Sequence, residues 1–147
     1  MERKIIVFAA FLLVSSTVSA EEHEQEGSPG RTFTLASVSG NYGFSLQGEV
    51  NGIPIAASGL ITADTNGKVT EGARTISVNG VIYKQTFTCS FSLDNTGVGS
   101  AVCPIDNPIP GFPEEETFDF VVVNNGKQYR QVSTTPGTTI IGIGIKQ

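Results

Sequence analysis

The sequence predicts an all-β protein, an antiparallel eight-stranded up-and-down β-barrel, and three observations carry that expectation. Apolar and polar residues alternate with a period of two through most of the chain after Gly40, the pattern of strands buried on one face and wet on the other. Asn51-Gly52, Asn66-Gly67, Asn79-Gly80 and Asn125-Gly126 each sit between such runs, and both residues of an Asn-Gly pair tolerate the positive φ that tight hairpins require. No stretch after Gly40 has helical periodicity, and the connections are of hairpin length with one exception.

Taken in order, residues 1–20, MERKIIVFAAFLLVSSTVSA, place Arg3 and Lys4 before an apolar run and end in Val18-Ser19-Ala20. That is the pattern of a secretory signal peptide cleaved after Ala20, too short and wrongly flanked for a membrane span. Glu21 follows where a lipoprotein would carry its acylated cysteine, so the mature chain is expected to be secreted or periplasmic, with no membrane span. Residues 21–39 read as a flexible acidic tail containing His23, the only histidine, which by itself cannot assemble a metal site. Residues 40–147 then form one domain.

Within that domain the runs place strands at 41–48, 53–63, 68–78, 81–93, 98–103, 117–123, 127–134 and 139–146. The long connection, PIDNPIPGFPEEE over 104–116, holds four prolines and three glutamates and is expected to lie as a loop over one end of the structure. LITADTNGKVT (60–70) and SFSLDNTGVGS (90–100) repeat an apolar run, Asp-x-x-Gly and a further strand. In such turns the Asp side chain bonds the turn backbone and Gly takes the left-handed position. A calcium loop is a competing reading of Asp64-x-Asn66-Gly67, but the further carboxylates it needs are missing. A β-sandwich is the competing architecture; short sequential connections favour the barrel, because sandwiches use longer crossings. A membrane barrel would need an apolar outer face, whereas the alternation presents Ser and Thr there.

The two cysteines, Cys89 and Cys103, can be placed by counting. A three-residue loop over 95–97 pairs Asp94 with Val98 and, further out, Cys89 with Cys103. A non-hydrogen-bonded pair of that kind has Cα atoms about 4.5 Å apart, close enough for a disulfide, and an oxidising compartment agrees. Two thiols alone cannot complete a zinc site, and no metal site or cofactor motif is expected.

The same alternation turns Phe87, Cys89, Phe91 and Leu93 to one face and Thr86, Thr88, Ser90 and Ser92 to the other. Tyr42 and Phe44, and Phe118 and Phe120, alternate likewise, so Tyr42, Phe44, Phe91, Phe118 and Phe120 are candidates for lining the barrel interior or for plain core. Two further positions depend on register. Counting from the Asp64 turn points Glu71 inward with Ile61, Ala63 and Val69, but a parity break between Ala73 and Ile76 favours a bulge at Gly72 that turns it outward. A two-residue loop at Asn125-Gly126 turns Tyr129 and Gln131 inward, while a three-residue loop turns Arg130 inward instead. Glu71 with Arg130 inside would form a buried ion pair or a site for a carboxylate-bearing ligand.

The sequences GNYGF, SGLITADTNGKVTEG, CSFSLDNTGVGS, FVVVNNGKQYRQVSTTPG and GIGIKQ, spread from Gly40 to Gln147, resemble uncharacterised exported bacterial proteins with a barrel similar to that of allene oxide cyclase and, more distantly, to the lipocalin-like calycins. The resemblance implies the barrel fold. Tyr42 stands where the lipocalin Gly-x-Trp motif has Trp, and no cyclase catalytic residue maps onto a position here. With no Gly-x-Ser-x-Gly elbow and one tail histidine, triad hydrolysis is excluded. A net charge of −5 argues against nucleic acid as a partner. The expected function is therefore that of a non-catalytic exported barrel binding a small apolar or amphipathic ligand. The alternatives are a solid barrel that binds another protein and, less favoured, a cyclase or isomerase.

Overall fold

The structure, a computed structural model, describes residues 30–147; the expected leader with its expected cleavage after Ala20, and His23, lie outside the described residues. Eight strands, β1 (Gly40–Val50), β2 (Ile53–Ala63), β3 (Lys68–Val78), β4 (Val81–Leu93), β5 (Val98–Pro104), β6 (Glu115–Val123), β7 (Gln128–Ser133) and β8 (Thr138–Lys146), follow one another round a closed antiparallel barrel. Nine residue pairs from Tyr42↔Lys146 to Val50↔Thr138 seal β8 onto β1, which distinguishes the barrel from a sandwich. Among the described residues no helix is long and apolar enough to cross a membrane.

The turns form for the reasons their residues give. Asn51 and Asn79 adopt φ of 50° and 47° at the two-residue hairpins. At both Asp-x-x-Gly turns the leading carboxylate accepts backbone N–H bonds: Asp64 from Asn66 and Lys68, at 2.8 and 2.9 Å, and Asp94 from Thr96 and Val98, at 2.8 and 3.0 Å. These bonds engage the Asp64 carboxylate in its own turn rather than leaving it to a cation. For Asp64 the backbone bond from Lys68 is the largest cause, and for Asp94 the hydroxyl bond from Thr96; each holds its carboxyl below the usual range. Both residues therefore stabilise the turns above the ordinary carboxylate pKa, and that stabilisation is lost as pH falls through the lowered value.

The ends of the barrel are covered differently. At the end where β1, β3, β5 and β7 begin, the chain before β1 crosses the opening: Phe33 N donates to Asn95 O at 3.0 Å, and a 3-10 helix at Leu35–Val38 buries Val38. This segment was expected to belong to the acidic tail. Its apolar Phe33, Leu35 and Val38 fold it onto the barrel instead, and Gly126, at φ 83°, lies so close that a Cβ there would meet Ser37 O. At the opposite end, residues 105–114 form the expected covering loop. Ile105 and Ile109 are buried in it, and Asn107 ties it to β4 by accepting from Thr86 N and donating to Lys84 O.

One irregularity sets the interior. Thr62 pairs with Glu71 but Ala63 pairs with Val69, and across β4 Val69 faces Cys89 while Gly72 faces Phe87. Thr70 and Glu71 thus stand opposite the single Thr88, a β-bulge that resets the alternation of β3. Both are exposed, and Gly72, Arg74, Ile76 and Val78 face the core. Glu71 is therefore not an interior residue.

Candidate functional site

The far half of the barrel is filled by side chains such as Val50, Ile55, Val78 and Ile140, the last only 1% exposed. From mid-barrel toward the N-terminal segment the packing opens into a cavity of about 90 Å³. At about 10–15 Å³ of such volume for one water, that is room for several waters or one small molecule. Tyr42, Phe44, Phe91, Phe118, Phe120 and Tyr129 line it, with Val38 contributed by the covering segment. The Cys89–Cys103 disulfide forms part of its wall, with Cα atoms 4.2 Å apart at the register counted from the turn.

Arg130 lies outside. Four residues, 124–127, separate the Val123↔Gln128 pair, with Asn124 and Asn125 both left-handed at φ 51° and 62°. A four-residue loop has the same parity as a two-residue one. Val122 accordingly faces Tyr129, Phe120 faces Gln131, and Arg130 sits exposed opposite Val121. The Glu71 and Arg130 pair considered from the sequence does not form.

The bulge builds a different pair. Arg74, which it turns inward, meets Glu116, the second residue of β6, which begins two residues earlier than expected and pairs Cys103 with Glu116. Arg74 Nη1 donates to Glu116 Oε2 and Nη2 to Oε1, both at 2.8 Å, a bidentate bridge whose side chains are 4% and 11% exposed. Nε and Nη2 also donate to Gln85 Oε1 at 2.9 and 2.8 Å, and the guanidinium carbon lies 5.7 Å from the Phe87 ring centroid. Gln85 Nε2 donates to Asn107 O at 3.2 Å, linking the pair to the covering loop. Arg74 and Glu116 close the inner end of the cavity and are its only charged lining residues among the described residues.

The opposite wall is β7. Two glycines of β8, Gly142 and Gly144, face inward and make room for it: a Cβ on Gly144 would collide with the Tyr129 ring, and one on Gly142 would crowd Gln131. Tyr129 packs tilted against Tyr42 and edge-on to Phe120, with centroids at 5.5 and 6.4 Å. Tyr42 donates its O–H to Gly126 O at 2.8 Å. Among the described residues, the Tyr129 hydroxyl and the Gln131 amide have no side-chain hydrogen-bond partner.

Burial pushes the Tyr129 phenol well above its ordinary value of 10.0, with a smaller contribution from repulsion by Tyr42, and burial also raises Tyr42. Both stay protonated in the folded protein where the unfolded chain would ionise. Their contribution to stability is fully present below about pH 10 and is lost as pH rises toward the folded value. Thermal melts should fall off above that pH, and Tyr129→Phe should flatten the decline. An unchanged alkaline limb would contradict the buried placement of this phenol.

Among the described residues the cavity lining contains no Ser, Thr, His, Lys or Asp, its two cysteines are joined, and its carboxylate, Glu116, is paired with Arg74. Against known protein families, curated proteins and solved structures, the chain finds no match.

Proposed function

We propose that the protein is an exported, non-catalytic β-barrel that binds a small apolar or amphipathic ligand in its interior. The observation that carries this reading is the cavity itself: an apolar, aromatic-lined space of about 90 Å³ with Tyr129 and Gln131 in its lining. A barrel folded only for stability gains by filling such space, since each unfilled methyl-sized void costs about 1 kcal/mol. The engagement of the lining's carboxylate, Glu116, by Arg74 favours binding over a cyclase or isomerase reaction. The calycin-like kinship expected from the sequence belongs to the same proposal and is supported by the up-and-down closure.

The test is native mass spectrometry of protein purified without refolding from the exported fraction, set against its denatured mass. A discrete extra mass that leaves on denaturation is expected. Ala101→Leu, which fills the cavity from β5, should abolish it while the barrel remains folded. A bare chain in both states would count against the reading.

A second reading, a barrel that binds another protein through its outside, is favoured by β8. Its outward residues are apolar rather than polar, with Ile141 57% and Ile145 54% exposed, and Leu60 stands 60% exposed across Gly43. Such patches mark interaction surfaces.

A further inference from the structure

The cavity is polar at its inner end and along one strand, and the two polar regions differ in kind. At the inner end Arg74 and Glu116 satisfy each other: four guanidinium N–H groups are donated to Glu116 and Gln85, and both carboxylate oxygens accept. A ligand carboxylate entering here would meet Glu116 oxygens and a cation already paired. A ligand cation would meet Arg74. Either ion would lose its hydration without gaining an unmatched counter-charge, an unfavourable exchange.

Along β7 the polar groups are neutral and unengaged. The Tyr129 ring is fixed by the gap at Gly144 and by its contacts with Tyr42 and Phe120, so its hydroxyl has a defined position. Burial keeps that hydroxyl protonated, and therefore a donor. Gln131, two residues on and facing the same way, adds an amide that can also donate. Phe91, Phe118, Phe120, Ala101 and the disulfide make the remaining walls apolar.

Resting on the ligand-binding reading above, we infer that the ligand is a small uncharged molecule bearing a carbonyl oxygen, which accepts a hydrogen bond from the Tyr129 hydroxyl. A carbonyl oxygen can accept from both Tyr129 and Gln131 and has no proton of its own that would need a partner in an apolar space. The volume selects a short chain or one small ring, with a single polar edge turned to β7. This site differs from the carboxylate site that Glu71 and Arg130 would have made, in position and in the charge it accepts.

Three probes of six non-hydrogen atoms each decide the matter: diethyl ketone, the alkene with a methylene in place of its oxygen, and butyrate as the carboxylate. Each is titrated into wild type and Tyr129→Phe while backbone amide NMR signals of the cavity-lining residues are followed. The ketone should bind wild type and weaken about three- to tenfold in Tyr129→Phe, the range for losing one neutral hydrogen bond. The alkene should bind both proteins alike, which also reports that the variant is folded, and the carboxylate should move no cavity signal. Gln131→Met provides a second variant and should weaken the ketone in the same direction. If the alkene binds but the ketone is indifferent to both variants, or if the carboxylate binds more tightly than the ketone, the inference is overturned and the cavity reading stands. If no probe moves a cavity signal, both fall.

Discussion

Glu116→Gln is expected to destabilise the protein by about 3–5 kcal/mol, the range for removing one partner of a buried ion pair. The substitution keeps the shape of the side chain and removes its charge. Arg74 cannot shed its own proton, so a guanidinium 4% exposed would be left beside the Phe87 ring with only neutral acceptors. Against a total stability of about 5–15 kcal/mol for a domain of this size, that is a large fraction. The double variant Arg74→Met/Glu116→Leu should lie within about 1–2 kcal/mol of wild type, because a matched ion pair and well-packed apolar side chains of similar volume are nearly equivalent in a core. Urea unfolding of Glu116→Gln, of Arg74→Met and Glu116→Leu singly, and of the double variant gives both the loss and the cycle. A Glu116→Gln loss below about 1 kcal/mol would mean that the pair is solvated and carries no structural weight.

That pair also shows where the sequence stops being readable. Strand positions follow from alternation and from Asn-Gly and Asp-x-x-Gly turns, because these act within a few residues of themselves. The Cys89–Cys103 register follows by counting outward from one such turn. The inside of the barrel depends instead on parity, and one extra residue reverses it. The only trace of the bulge was the break in alternation between Ala73 and Ile76; placing the extra residue at Thr70–Glu71 turns Arg74 inward and Glu71 outward, the reverse of what their neighbours implied. Glu116 was hidden differently, as the last of three glutamates after a proline-rich stretch, where only the pairing of β6 with β5 assigns it to a strand. In β8 the alternation was legible but not its sense. Ile141, Ile143 and Ile145 face out because Gly142 and Gly144 are needed inside, beneath Gln131 and Tyr129. Such a requirement comes from a strand that lies elsewhere in the sequence, and local pattern does not record it.

The second large effect should come from the disulfide. The double variant Cys89→Ser/Cys103→Ser is expected to lose about 3 kcal/mol, the chain-entropy value for closing a loop of roughly fifteen residues. The position of the bond makes it more than a generic staple. The β4–β5 ladder runs only from Leu93↔Gly99 to Ser90↔Val102, the shortest seam in the barrel, and the disulfide sits one residue beyond its last pair. Past that point the regular ladder has ended, and the covering loop continues the contact through the Phe87↔Ile105 bridge and the bonds of Asp106 and Asn107 to Thr86 and Lys84. Without the covalent bond the seam has little to keep it closed at the level of the cavity, whose wall the two sulfurs form. The melting temperature should fall by on the order of 10 °C, at several degrees per kcal/mol for a domain of this length. Hydrogen exchange should quicken first at the β4 and β5 amides and least along β1–β2, where eleven residue pairs hold the strands. A melting temperature unchanged by the double substitution, or exchange that quickens evenly round the barrel, would place the weak seam elsewhere.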